Sequence, residues 1–244
     1  MDITEDIPQW IKESEKLLQN LNRIPHDQSA IVVVRHSHRT EITKVSEAIG
    51  ALLTDIGKQK AKEFGEKATK GKNYRLYSSS IERCIQTAEN IKQGIEKHTT
   101  INSSIRQLEV LTGMAGDGFH IATELMKDHR SFILRWACNH FTPAIIEPIS
   151  TYAARAANFM FSHHLIRDKP TIDIFVTHDL NLMGLQLAWT GKFQPGEWVE
   201  YLSGFILILK EKSWVVIRGD DTWEIPFPYW WPIKELVTHE RILP

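Results

Sequence analysis

The chain has 244 residues, of which 42% are apolar and 24% charged, and 29 basic against 30 acidic side chains leave a formal net charge of −1. These values sit near the averages of soluble globular proteins and exclude collagen-like and disordered classes. They also leave no basic excess with which to hold nucleic acid. A chain of this length buries roughly 70% of its unfolded surface, so its core needs neither disulfides nor a structural metal. Cys84 and Cys138 form no CxxC pair and read as reduced thiols. The N-terminus, Met1-Asp2-Ile3-Thr4-Glu5-Asp6, lacks the basic start and apolar run of a signal peptide. No stretch approaches the ~18 uninterrupted apolar residues of a membrane span. The expectation is a cytoplasmic protein that engages neither nucleic acid nor membrane, of undetermined oligomeric state.

In chain order, Trp10, Leu17, Leu18 and Leu21 recur at near-helical spacing after Pro8, which predicts an amphipathic helix over 10–21 within an N-terminal extension of residues 1–29. Ala30-Ile31-Val32-Val33-Val34 is a continuous β-branched run, the pattern of a strand buried on both faces of a parallel sheet. Thr54 is an N-cap candidate for a helix over 55–68 with lysines on its outer face. Residues 74–78 predict a second strand, and 81–95 a helix with Ile81, Ile85, Ala88 and Ile91 on one side. The glycine-rich stretch 112–119 reads as a loop. Residues 120–168 read as helical with breaks near Pro143 and Pro148. A third strand over 171–177 leads into a helix over 179–189, and 205–209 with 214–217 predict a hairpin. From Trp223 to Pro244 no period is visible, and His163-His164 reads as surface.

Strands alternating with helices before a closing hairpin predict an α/β fold, a mostly parallel central sheet with helices on both faces. One domain over 1–244 is the expected organisation. A helical insertion at about 110–170 is read as a modest cap.

The chemistry-bearing residues cluster at strand ends. The first strand ends in Arg35-His36-Ser37-His38-Arg39, the third in His178-Asp179, and Arg83 lies one turn into the helix after the second. Ligand sites in open α/β sheets lie beyond the carboxyl ends of strands. Guanidinium groups match phosphate oxygens as forked donors, a neutral imidazole is a nucleophile at phosphorus, and a carboxylic acid can protonate a departing alkoxide. That inventory fits phosphoryl transfer without a metal or other cofactor. The competing reading is a metal site built from His36, His38, His178 and Asp179. Against it, the neighbouring arginines repel a dication, and adjacent His178 and Asp179 side chains point apart on an extended chain.

Arg35-His36-Ser37-His38-Arg39 resembles the RHGxR signature of the histidine phosphatase superfamily, which includes phosphoglycerate mutases and histidine acid phosphatases. Residues 53–61 (LTDIGKQKA), 76–88 (LYSSSIERCIQTA) and 175–179 (FVTHD) resemble three further motifs of that family, in the same order. The resemblance implies a phosphoglycerate mutase-like fold and His36 as the phosphorylated nucleophile. It further implies that Arg35, Arg39, Arg83 and His178 bind the substrate phosphate. The proton donor is Asp179 by resemblance to the acid-phosphatase branch and Glu109 by resemblance to the mutase branch; the His-Asp pair favours the former. Ser37 departs from the pattern, because the family has glycine there. The expected activity is metal-independent hydrolysis of a small phosphomonoester through phosphohistidine. The alternatives are a mutase-like phosphotransferase and an inactive phosphate-binding module.

Overall fold

The structure, a computed structural model, describes residues 7–101, 103–192 and 198–231. Its strands are β1 (Ala30–Arg35), β2 (Asn73–Ser78), β3 (Arg106–Gln107), β4 (Thr171–Thr177), β5 (Gly204–Leu209), β6 (Ser213–Arg218) and β7 (Asp221–Pro226). They form one seven-stranded sheet in the order β3-β2-β4-β1-β5-β6-β7. Strands β3, β2, β4 and β1 run parallel, whereas β5, β6 and β7 continue from β1 as an antiparallel meander.

Helices cover both faces, as the continuous apolar strands require. All six residues of β1 are buried. Val32 and Val34 face a core closed by α1 (Gln9–Asn22), α2 (Asp55–Lys67) and α3 (Glu82–Ile95), with Leu17, Leu21, Phe64 and Ile91 at its centre. Ile31 and Val33 face the opposite core, which contains residues of α4 (Glu109–Thr112), α5 (Gly118–Ala137), α6 (Ile149–Leu165) and α7 (Asp179–Thr190). Thr54 caps α2 as its side chain predicts, accepting the Gly57 amide at 3.1 Å. Pro148 precedes α6, and Gly191 ends α7 in the left-handed conformation.

Several local expectations need correction. The stretch from Trp223 holds a strand: Trp223 pairs with Val216 across β6–β7, and residues 232–244 lie outside the described residues. The buried stripe of α3 runs through Cys84, Ala88, Ile91 and Ile95, while Ile81 and Ile85 are only half-buried. His164 is buried, with its Nδ1 2.6 Å from the buried Asp173 carboxylate, which also pairs with Arg75 at 2.6 Å. Burial lowers the His164 pKa, so the neutral ring donates its Nδ1–H to Asp173, whose charge is balanced by Arg75. Lys72, beyond the helix whose lysines face outward, is also buried and donates to the carbonyls of Pro25 and Gln28. Residues 118–137 break at Asp128, whose backbone is extended and whose carboxylate accepts the amides of Arg130 and Ser131, capping the second half.

Candidate active site

The sheet order puts β2, β4 and β1 side by side with their carboxyl ends aligned, Arg35 opposite Thr177 and Ser78 opposite Val176. Residues 35–39, 78–83 and 177–179 therefore emerge at one edge. There they meet a cavity of about 360 Å³ lined by His36, Arg39, Arg83 and Asp179 together with Trp198, a segment after Arg39 and one face of α5. That volume lies within the range of small-molecule sites, about 300–1,000 Å³.

His36 is buried, and its amide donates to the Thr177 carbonyl at 2.9 Å, continuing the strand pairing. Its Nδ1 lies 2.8 Å from the Ser37 carbonyl oxygen. A carbonyl can only accept, so Nδ1 carries the proton and Nε2 presents a lone pair. Arg83 Nε donates to that Nε2 at 3.1 Å. Burial, then the charge of Arg35, then His178 and Arg83, lower the His36 pKa well below its ordinary value, so the imidazole is neutral at pH 7.

Arg83 ties the floor together. Besides His36 it donates from Nη2 to His178 Nδ1 at 3.1 Å and from Nη1 to the Ala48 carbonyl at 2.6 Å. With Nδ1 accepting, His178 carries its proton on Nε2, which donates to Ser79 Oγ at 3.0 Å. Burial and the Arg83 charge push the His178 pKa down to about 3. The buried Cys84 thiol lies 3.6 Å from His178 Nε2, and burial pushes its pKa up to about 12, so it is no nucleophile at neutral pH.

Arg35 and His178 are not among the residues lining the cavity; they stand behind those that do. Arg35 pairs with Asp179 Oδ2 at 2.7 Å, donates to the Val199 carbonyl at 2.7 Å, and stacks its guanidinium 4.2 Å from the centre of the Tyr201 ring. Asp179 begins α7, with His178 as the N-cap residue. Trp198 Nε1 donates to its Oδ2 at 3.1 Å and the Leu180 amide to its Oδ1 at 2.8 Å. Burial opposes the Asp179 charge, but the Arg35 charge and the hydrogen bonds from Trp198 and the Leu180 amide outweigh it and hold the carboxyl below the usual carboxylate range. Glu109 opens α4, is exposed, and is not among the lining residues.

Ser37 neither faces the cavity nor needs a positive φ. Its hydroxyl donates to the Gly57 carbonyl at 2.7 Å and its amide to Thr87 Oγ1 at 3.0 Å, which locks the 36–39 turn onto α2 and α3. The approach is close: a Cβ on Gly57 would stand 2.0 Å from the His38 carbonyl oxygen, so only glycine fits. His38 stacks on Trp10, rings 5.4 Å apart, and its Nδ1 lies 2.8 Å from Thr54 Oγ1.

Trp198, Val199 and Tyr201 were not anticipated from sequence. They precede β5, and Leu202 bends the chain there with φ 52° while fully buried. A left-handed leucine is strained, and such strain persists where packing over-determines the backbone. The signal available in the sequence was position alone, two aromatic residues just ahead of a strand. Among the described residues, no three His, Cys, Asp or Glu side chains gather as metal ligands, and no helix is long and apolar enough to cross a membrane.

A neutral imidazole, two arginines and a carboxylate around one cavity at the strand ends of an α/β sheet carry the chemistry of phosphoryl transfer. The chain belongs to the histidine phosphatase superfamily (branch 1), whose family description it matches over residues 18–218. Among solved structures, Bacillus stearothermophilus YhfR is similar with a TM-score of 0.53 and 19% identity, covering 75% of this chain and 92% of that one. A mycobacterial glucosyl-3-phosphoglycerate phosphatase bound to inorganic phosphate is similar with a TM-score of 0.53 and 15% identity, covering 79% and 98%. A phosphoglycerate mutase from Bacillus anthracis str. Sterne follows with a TM-score of 0.50 and 16% identity, covering 82% and 94%. At these identities the likeness is one of fold. No curated protein sequence matches the chain. Family and fold together support phosphatase- or mutase-type phosphoryl transfer.

Proposed function

We propose that the protein is a phosphomonoester hydrolase that works through a phosphohistidine at His36 Nε2. The observation that carries this reading is the Nδ1–H bond of His36 to the Ser37 carbonyl, which directs the Nε2 lone pair toward Arg83 in a cavity that Arg39 and Asp179 share. In the first step Nε2 bonds to phosphorus as the P–O ester bond breaks in line. For this, Arg83 gives up its bond to Nε2 as substrate enters, and its donors and those of Arg39 pass to the phosphoryl oxygens before the attack. In the second step water attacks phosphorus and passes a proton to the Asp179 carboxylate, the N–P bond breaks, and the electron pair returns to Nε2.

Asp179 is the proton donor in this reading, because it lines the cavity and Glu109 does not. Its lowered pKa makes it a carboxylate in the resting site. A phosphate dianion beside it brings like charge, which raises a carboxyl's proton affinity. Asp179 thus takes up a proton as substrate enters and delivers it to the leaving oxygen. Residues 110–170 serve as the cap, through the face of α5 that lines the cavity.

The test has two arms. Protein incubated with radiolabelled substrate and quenched in base should carry label, and His36→Ala should carry none; label at wild-type stoichiometry on His36→Ala would refute the nucleophile. A general acid matters most for a poor leaving group. Asp179→Asn should therefore lose far more activity on an alkyl phosphate than on p-nitrophenyl phosphate, and Glu109→Gln should show no such bias. The reverse pattern would transfer the role to Glu109.

A further inference from the structure

The cavity is sharply divided in chemistry. Its polar groups, His36, Arg39, Arg83 and Asp179, are gathered at the strand ends. The remaining wall is apolar apart from one histidine: Ile42, Val45 and Ala48 from the segment after Arg39, Leu125 and Met126 from α5, and Trp198. Ala122, Leu125 and Met126 fall at i, i+3 and i+4 on one face of the first half of α5, and His129 follows just beyond the break at Asp128. Two carboxylates on the same elements are engaged elsewhere. Glu124 pairs with Lys127 at 2.7 Å and Arg135 at 3.0 Å. Glu47 accepts from the Thr43 and Lys44 amides at 2.9 and 3.2 Å. His129 packs its ring edge-on against Trp198, centroids 4.4 Å apart. Beyond the phosphate end, the described residues that line the cavity therefore offer no lysine or arginine to a second anionic group, and mainly apolar contact to the body of a substrate.

We infer that the substrate is a monophosphate ester of an apolar alcohol, an alkyl or arylalkyl phosphate with its hydrocarbon against Ile42, Val45, Leu125, Met126 and Trp198. Polyanionic esters of the phosphoglycerate kind are rejected. The inference rests on the phosphomonoesterase reading above. A carboxylate on the substrate would be desolvated against this wall with no partner, which is costly. Each methylene placed there leaves water, an effect of about four-fold per group in an equilibrium or rate constant.

The experiment compares kcat/KM for ethyl, butyl and hexyl phosphate with that for 3-phosphoglycerate, all four having primary alkoxide leaving groups. The expected result is a rise of roughly two- to four-fold per methylene from ethyl to hexyl phosphate, with 3-phosphoglycerate at least about ten-fold below hexyl phosphate. Leu125→Lys, which puts a cation in the wall, should flatten the chain-length series and raise 3-phosphoglycerate relative to hexyl phosphate. Hydrolysis that is indifferent to chain length, or fastest with 3-phosphoglycerate, overturns the inference and leaves the phosphomonoesterase reading standing. An unaltered series in Leu125→Lys overturns it as well. No turnover of any of the four esters or of p-nitrophenyl phosphate overturns both.

Discussion

Arg35 opens the family signature and yet stands behind the cavity, paired with Asp179 at 2.7 Å, and this placement predicts a specific outcome for Arg35→Gln. Two unit charges at that distance attract by about 6 kcal/mol at an effective dielectric of about 20. Most of this offsets desolvation, since the Arg35 side chain is 8% exposed. Removing one partner of a buried pair costs about 3–5 kcal/mol. Asp179 is 29% exposed, and water screens what is left behind, so about 2–3 kcal/mol is the expected loss. For a chain of this size that is a fall of roughly 4–12 °C in Tm. Asp179→Asn in the same background removes the orphaned charge and should recover most of the loss, giving a coupling energy above about 1 kcal/mol in a double-mutant cycle. Urea unfolding of the four proteins measures it. Inorganic phosphate inhibition supplies the second readout: it should weaken more in Arg39→Ala and Arg83→Ala, whose side chains line the cavity, than in Arg35→Gln. Independent, additive effects of the two substitutions, or phosphate inhibition lost most in Arg35→Gln, would refute the placement of Arg35 as the partner of Asp179.

Ser37→Gly restores the family residue, and the lost hydroxyl bond to Gly57 should cost about 1 kcal/mol of stability in urea with kcat within two-fold; a ten-fold gain in kcat would mean that the serine obstructs the site. Asp173→Asn strips the buried partner from Arg75 and His164 and should cost about 3–5 kcal/mol, against which an unfolding free energy within 1 kcal/mol of wild type would count decisively. The lowered pKa values of His36, His164 and His178 set a pH dependence. Below about 6.5 the unfolded chain binds protons at these positions that the folded chain refuses, so stability is full above that pH and falls as pH drops through it, by up to about 1.4 kcal/mol per unit per histidine. Urea midpoints at pH 7.5 and 5.5 measure this, and a midpoint that holds or rises on acidification contradicts it.

Where one rule dominates, the sequence is readable. The run from Ala30 to Val34 has no polar face, so it must lie between two helical layers, and it does. Thr54 has one function at that position, as the cap of α2. What escaped was set by partners distant in sequence. Strand β7 alternates exposed and half-buried residues at the sheet's edge and ends on Pro226, so it lacks the apolar run that marked β1. His164 looks like a surface histidine until Asp173 and Arg75 are brought to it across the sheet. Two-residue β3 and four-residue α4 are too short for any period to register.

The same distinction explains which half of the site was legible. A parallel strand delivers functional residues at its carboxyl end, and three of the four parallel strands, β1, β2 and β4, do so with His36, Ser79 and His178. Strand β5 runs antiparallel beside β1, pairing Val34 with Gly204, so the site edge meets its amino end. The residues ahead of β5 must therefore come to the same place, and Trp198, Val199 and Tyr201 hold Asp179 and Arg35 there. No motif marks them, because their contribution is an indole N–H, a backbone carbonyl and an aromatic face, any of which other residues can supply. The catalytic inventory is constrained in residue type and is visible as a signature; its support is constrained only in position and becomes visible with the direction of β5.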